Sequence, residues 1–283
     1  MWGIMSIRIF RVVMFAMCFL LPLQSMGFSL PTVAAVTEKL KALFSQQQKE
    51  EGAGQTVNIA LFAIQGLILD ETEWVKKIYK IKQDDSIHGV IIKIDSGGGA
   101  CGASYLLYKE IKALAEKKPV VVIVGNSCCS GAYLASIGAN CIIASNMAEI
   151  GSIGVIQIIS KKKIKKFKDG GASGEINFEV ISSSPNKTIF NELGPDLSPE
   201  QRNHQQAQIA HFYEMFYRTV AAERRLDSEN HMKWADAQVF SGEQALKLRL
   251  IDKLGSYSDA LAEVLTLVNE RVGIEGRPEI IEC

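Results

Sequence analysis

The chain has 283 residues, 31 of them Lys or Arg and 31 Asp or Glu, and 47% are hydrophobic. Balanced charge excludes an affinity for nucleic acid that rests on overall positive charge. The apolar fraction, with only 7 Pro and 23 Gly, excludes a disordered or collagen-like chain, and six cysteines are too few for a disulfide scaffold.

In chain order, Arg8 and Arg11 precede an apolar run, Val12 to Leu23, and no charge follows until Glu38. A bilayer takes about 20 residues, so the 26 uncharged residues from Val12 to Thr37 are enough to span one. A basic flank before such a run reads as a signal anchor or as a secretory signal cleaved near Ser25-Met26-Gly27. The length favours the anchor, over residues 1–31. The positive-inside rule then keeps the arginines cytoplasmic and sends the rest of the chain across the membrane. Residues 32–55 form a linker that holds one short helix, Thr32 to Phe44, and the polar stretch Gln46 to Gln55. The soluble domain occupies residues 56–283.

Val57 to Ile64 reads as a strand. Trp74, Ile78 and Ile81 have helical spacing within Glu73 to Lys82. Gly89 to Asp95 is a nearly continuous apolar strand, buried on both faces. A glycine turn and a helix from Ser104 to Glu116 come next, then strands Pro119 to Val124 and Cys141 to Ala144. Strands alternating with helices predict an α/β fold whose parallel sheet is joined by crossover helices. Ligand sites in such sheets lie at the carboxyl ends of the strands.

Two of those ends carry unusual loops. Asp95-Ser-Gly-Gly-Gly-Ala-Cys-Gly102 contains the GxGxxG spacing of a dinucleotide site. The next strand ends Val124-Gly125-Asn126, without the carboxylate that would hold a ribose. A glycine turn also exposes amide groups to a developing negative charge, or simply starts a helix. The second loop is Gly125-Asn-Ser-Cys-Cys-Ser-Gly131, in which Ser130 directly precedes an apolar helix. It reads either as an N-cap or as a nucleophile beside a helix N-terminus. A nucleophilic serine needs a base. None of the four histidines, at positions 88, 204, 211 and 231, lies between the glycine loop and residue 203, and His204 and His211 belong to a long polar helix. A lysine of suppressed charge is the other solution, and Lys187 stands apart from other charges in Ile181-Ser-Ser-Ser-Pro-Asn-Lys-Thr188.

These residues resemble signal peptide peptidase A, the protease IV family, within the Clp-protease/crotonase superfamily. Asp95-Ser96-Gly97-Gly98-Gly99 is similar to the family's Asp-Ser-Pro-Gly-Gly, and Cys129-Ser130-Gly131-Ala132-Tyr133 to its Ala-Ser-Gly-Gly-Tyr. Gly151-Ser-Ile-Gly-Val155 matches a family segment. Ser183-Ser-Pro-Asn-Lys187 falls at Ser-Gly-x-x-Lys, and Phe240 to Ala245 and Leu250 to Gly255 match the closing stretch. The resemblance covers nearly all of residues 57 to 265. It implies a crotonase- and Clp-protease-like fold and a serine endopeptidase with nucleophile Ser130 and general base Lys187. Gly131 with Gly98 or Gly99 supplies the oxyanion hole, with neither cofactor nor metal. It further implies remnant signal peptides as substrates, no nucleic-acid partner, a homo-oligomeric ring in which Ser130 and Lys187 meet either within one subunit or across a subunit boundary, and a bacterial cytoplasmic membrane with the catalytic domain outside the cytoplasm. Gly97 departs from the family proline, Ala100 and Cys101 stand where Gly and an aliphatic residue are usual, and Cys128 and Cys129 crowd the serine. A non-proteolytic acyl-CoA enzyme and a weakened membrane scaffold are the competing readings.

Other features read as structural. The run Lys161-Lys-Lys-Ile-Lys-Lys-Phe-Lys168 predicts a solvated helix with Ile164 and Phe167 on its packing face, or a contact with anionic lipid. Cys128 and Cys129 fill small buried sites or pair with Cys101 or Cys141, and no spacing suits a metal. Trp74 and Trp234 are packing residues.

Overall fold

The computed structural model describes residues 55–166, 172–183 and 199–283. The expected membrane segment, almost all of the linker, and Lys187 lie outside the described residues. Thr56–Cys283 form one compact unit. Among the described residues, no helix is long and apolar enough to cross a membrane.

The chain opens with β1 (Gln55–Gln65), α1 (Thr72–Gln83), β2 (Gly89–Ser96), α2 (Cys101–Lys117), β3 (Val120–Cys129), α3 (Gly131–Ser136) and β4 (Cys141–Ala144). The short β5 (Glu149–Gly151) leads to β6 (Ile156–Lys166) and β7 (Ala172–Ser182). The long α4 (Pro199–Arg224) follows, then β8 (Val239–Ser241), α5 (Gly242–Lys247), β9 (Lys253–Leu254), α6 (Tyr257–Val272) and β10 (Gly276–Glu282). The main sheet has the order β10–β1–β2–β3–β4–β9, and β5 links β3 to β8. Strands β1, β2, β3, β4 and β9 pair in parallel, as the alternation of strand and helix predicts.

Both faces of the sheet are covered, which is why its strands are apolar throughout. Val90, Ile92 and Ile94 of β2 pack in one core with Leu107, Ile111 and Leu114 of α2. Ile91, Val121 and Ile143 face the other way, against Ala260, Val264 and Val268 of α6. Each fully buried aliphatic side chain of this kind contributes about 1.5–3 kcal/mol relative to exposure.

Three expectations need correction. Helix α2 begins at Cys101, three residues early, because the Ser104 amide closes a first turn on the Ala100 carbonyl at 3.0 Å. Strand β3 runs on to Cys129 rather than ending at Val124, because Ser127, Cys128 and Cys129 find partners in β5. The lysine run, as far as Lys166, is strand β6 and not a helix. It pairs antiparallel with β7, from Ile156 opposite Ser182 to Lys166 opposite Ala172. The run has almost no apolar period of its own, so the available backbone partner decides its conformation.

Candidate active site

The carboxyl ends of β2 and β3 stand side by side, and their register is irregular there. Ile94 pairs with Val124, but Ser96 pairs with Cys128. The extra residues on β3 form a bulge at Gly125 and Asn126, and Asn126 Nδ2 donates to Asp95 Oδ1 at 3.1 Å. A bulge of this kind re-aims the residues after it.

Ser130 directly follows that strand, at φ 53°, ψ −125°. A serine in this region carries strain of order 1–3 kcal/mol, which persists only where the surroundings hold it. The holding contacts are the Ser130 amide on the Gly151 carbonyl at 2.7 Å and the Leu134 amide on the Ser130 carbonyl at 3.0 Å. Gly151 itself needs φ 107° to make its turn. Helix α3 behind the serine is only six residues long. The dipole argument made from sequence therefore counts for little, and the strained turn is the stronger signal.

The glycine loop is stitched to the segment after β1. The Ile68 amide donates to the Gly98 carbonyl at 2.9 Å, and the Ala100 amide donates to the Ile68 carbonyl at 2.7 Å. Ser96 Oγ donates to the Gly66 carbonyl at 2.5 Å and accepts from the Gly98 amide at 3.1 Å. Gly98 sits at φ +100°, and a Cβ there would lie 2.6 Å from the Gly131 nitrogen and 2.8 Å from Ser130 Cβ. The loop and the serine turn are therefore in direct contact. With the Gly98 amide turned onto Ser96, the amides of Gly99 and Gly131 are the pair left to meet a ligand at this junction. A Cβ placed on Gly131 would come 3.2 Å from the Gly99 nitrogen, which shows how near the two stand.

A cavity of about 230 Å³ opens at Ser130. Leu134 and Val155 line it, with Phe212, Met215 and Phe216 contributed by α4. Tyr108 and Lys112 of α2 both bond Glu223, near the end of α4. Arg224 forks onto Asp252 at 2.9 and 3.0 Å, and Asp252 accepts the Ile142 amide at 2.7 Å. These ties fix α4 against the sheet and so hold the aromatic wall over the serine.

Cys128 and Cys129 are buried beside the serine, Cys141 is buried in the sheet and Cys101 is exposed at the cavity. None of the four is joined in a disulfide, as the small-residue reading of Cys128 and Cys129 expects. Burial pushes the Cys128 thiol far above its ordinary value, which makes it a poor nucleophile. His204 and His211 lie exposed on α4, while Trp74 and Trp234 pack against the core. Among the described residues no group of His, Cys, Asp and Glu is arranged to hold a metal. Sequence reasoning missed the aromatic wall. Ile209, Phe216 and Val220 are buried along α4, and that spacing was its available signal.

Comparison with known proteins gives the family of the chain. The description "Peptidase family S49" matches residues 112–271. A putative protease of Methanocaldococcus jannaschii is 33% identical over 213 residues, which cover 75% of this chain and 65% of that protein. A putative protease of Synechocystis is 35% identical over 210 residues, 74% of each chain. Protease 4 of Salmonella typhi is 31% identical over 219 residues, and the match spans about a third, 34%, of its length. Among solved structures, a mutant of a membrane-bound stomatin-specific protease is similar in fold, with TM-score 0.51 and 17% identity over 81% of this chain and 98% of that one. The chain belongs to peptidase family S49, the family of serine peptidases that includes protease 4.

Proposed function

We propose that the chain is a membrane-attached serine endopeptidase with a Ser130–Lys187 dyad, acting on remnant signal peptides and other extended apolar segments. The observation that carries the reading is Ser130 in a strained turn, against a glycine loop and at the mouth of an apolar cavity. The cavity suits an apolar side chain next to the scissile bond. Lys187 is the base that the resemblance supplies.

In the proposed reaction, neutral Lys187 Nζ takes the proton from Ser130 Oγ as that oxygen bonds to the substrate carbonyl carbon. The carbonyl oxygen becomes an oxyanion and accepts from the Gly99 and Gly131 amides. One such donor is worth about 100- to 1000-fold in rate. As the C–N bond breaks, Lys187 returns the proton to the departing amine. Water then attacks the acyl-enzyme, giving its proton to Lys187, and Ser130 recovers its proton as the carboxylate product leaves. Of the two glycines considered from sequence, Gly99 is favoured, because Gly98 already spends its amide on Ser96.

The same reading keeps residues 1–31 as the anchor, the catalytic domain outside the cytoplasm, and a ring of subunits that completes the dyad. Light scattering of the detergent-solubilised chain tests the ring, and a monomer with full activity contradicts it. Activity is tested by cleavage of a synthetic signal peptide, with Ser130→Ala and Lys187→Ala beside the parent chain. The parent cleaves and both variants fall to background, while equal turnover by all three contradicts the reading. The base must be unprotonated, so activity rises towards alkaline pH; a plateau extending down to pH 5 excludes a lysine base.

A further inference from the structure

Gly99 and Gly131 belong to different loops, and their amides serve one oxygen only if something fixes their separation. This inference rests on the peptidase reading and concerns that something. Ser104, in the first turn of α2, stands against Gly131 and lines one cavity with both glycines. It is completely buried, at 0% exposure, and lines the same cavity as Ser130. Its hydroxyl has no hydrogen-bond partner among the described residues. A serine inside a helix ordinarily turns its hydroxyl onto the carbonyl four residues back. Here the Ala100 carbonyl takes only the Ser104 amide. The hydroxyl lies against the Gly131 Cα instead, since a Cβ added to Gly131 would meet Ser104 Oγ at 2.1 Å.

An unpaired buried hydroxyl lowers stability, and alanine would fit the same space without that penalty. Folding alone therefore does not account for a serine at this place. We propose that Ser104 is a positioning residue of the oxyanion site. Its hydroxyl fills the gap beside Gly131 and keeps that residue's amide in register with the Gly99 amide. The alignment of two donors is sensitive, because a displacement of about 1 Å at a reacting centre costs on the order of 100-fold in rate.

The test uses the full chain in detergent and a synthetic signal peptide, comparing the parent with Ser104→Ala. The expected result is a kcat about 10- to 100-fold lower, a KM changed by less than about twofold, and a Tm equal or higher. Ser104→Cys keeps an atom at the γ position and recovers part of the lost kcat. Gly131→Ala provides a second readout: its loss of Tm is smaller when Ser104→Ala is also present, because the 2.1 Å clash is gone. An unchanged kcat in Ser104→Ala overturns the proposal. So does a fall in kcat that accompanies a fall in Tm, which marks the hydroxyl as merely structural. A parent chain that cleaves no peptide contradicts the peptidase reading and removes this inference with it. An active parent matched by an equally active Ser104→Ala removes the inference alone.

Discussion

Two neighbouring glycines of the loop after β2 should respond oppositely to the same added methyl group. A Cβ on Gly99 would lie 2.0 Å from the Ile68 oxygen, 2.5 Å from its carbon and 2.7 Å from its nitrogen. These are backbone atoms, and the Ile68 side chain is fully buried, so the segment cannot step aside cheaply. Relief breaks the Ile68 and Ala100 hydrogen bonds, at about 1 kcal/mol each. Overpacking adds about 1–3 kcal/mol. Gly99→Ala should thus destabilise by roughly 3–5 kcal/mol, which at about 2–4 °C per kcal/mol lowers Tm by roughly 6–20 °C. A Cβ on Gly97 meets nothing within 4 Å. Gly97→Ala should stabilise by about 0.4–1 kcal/mol, through the less flexible unfolded chain. Thermal melts followed by circular dichroism measure both. Equal shifts in the two variants would refute the account of how this loop is held.

Further predictions concern the thiols, the tyrosines and the base of α4. Iodoacetamide at pH 8 should label exposed Cys101 and Cys283 in the native chain and spare buried Cys128, Cys129 and Cys141; peptide mapping checks this, and early labelling of Cys128 contradicts it. Burial, then the bond to Glu223, pushes the Tyr108 phenol up to about 12. A folded-state value above the unfolded one, near 10, means stability is whole below pH 10 and falls as pH rises through 12. Alkaline melts should show that decline, and it should shrink in Tyr108→Phe. Asp252→Ala removes the carboxylate from Arg224, which keeps its Nε bond to the Arg249 carbonyl, and from the Ile142 amide together. It should lower stability by about 2–4 kcal/mol, measured by urea unfolding, and should loosen the aromatic wall enough to raise KM; an unchanged KM contradicts the tie between α4 and the cavity.

The parallel sheet was legible because β2, β3 and β4 are apolar runs bounded by glycine turns, a pattern that burial on both faces demands. The pairing of the two loops was legible from topology, since neighbouring parallel strands deliver their carboxyl ends to one place. Three things were not. The bulge that lets β3 run to Cys129 depends on the distant partner β5, which no local pattern announces. The lysine strand depends on β7 in the same way. The choice between Gly98 and Gly99 depends on one hydrogen bond to Ser96. The aromatic wall was partly legible, but the charges and glutamines of α4 obscured the buried positions among them.

The most direct test of the central claim is to find which atom of the chain bonds to a serine-directed electrophile. A fluorophosphonate probe, incubated with the full chain and followed by peptide mapping, should place a single adduct on Ser130, and Lys187→Ala should slow its formation by at least 100-fold, within the range of about 10²–10⁴ that a positioned base contributes. An adduct on another residue, or labelling of Ser130 at the same rate without Lys187, would contradict a Ser130–Lys187 dyad.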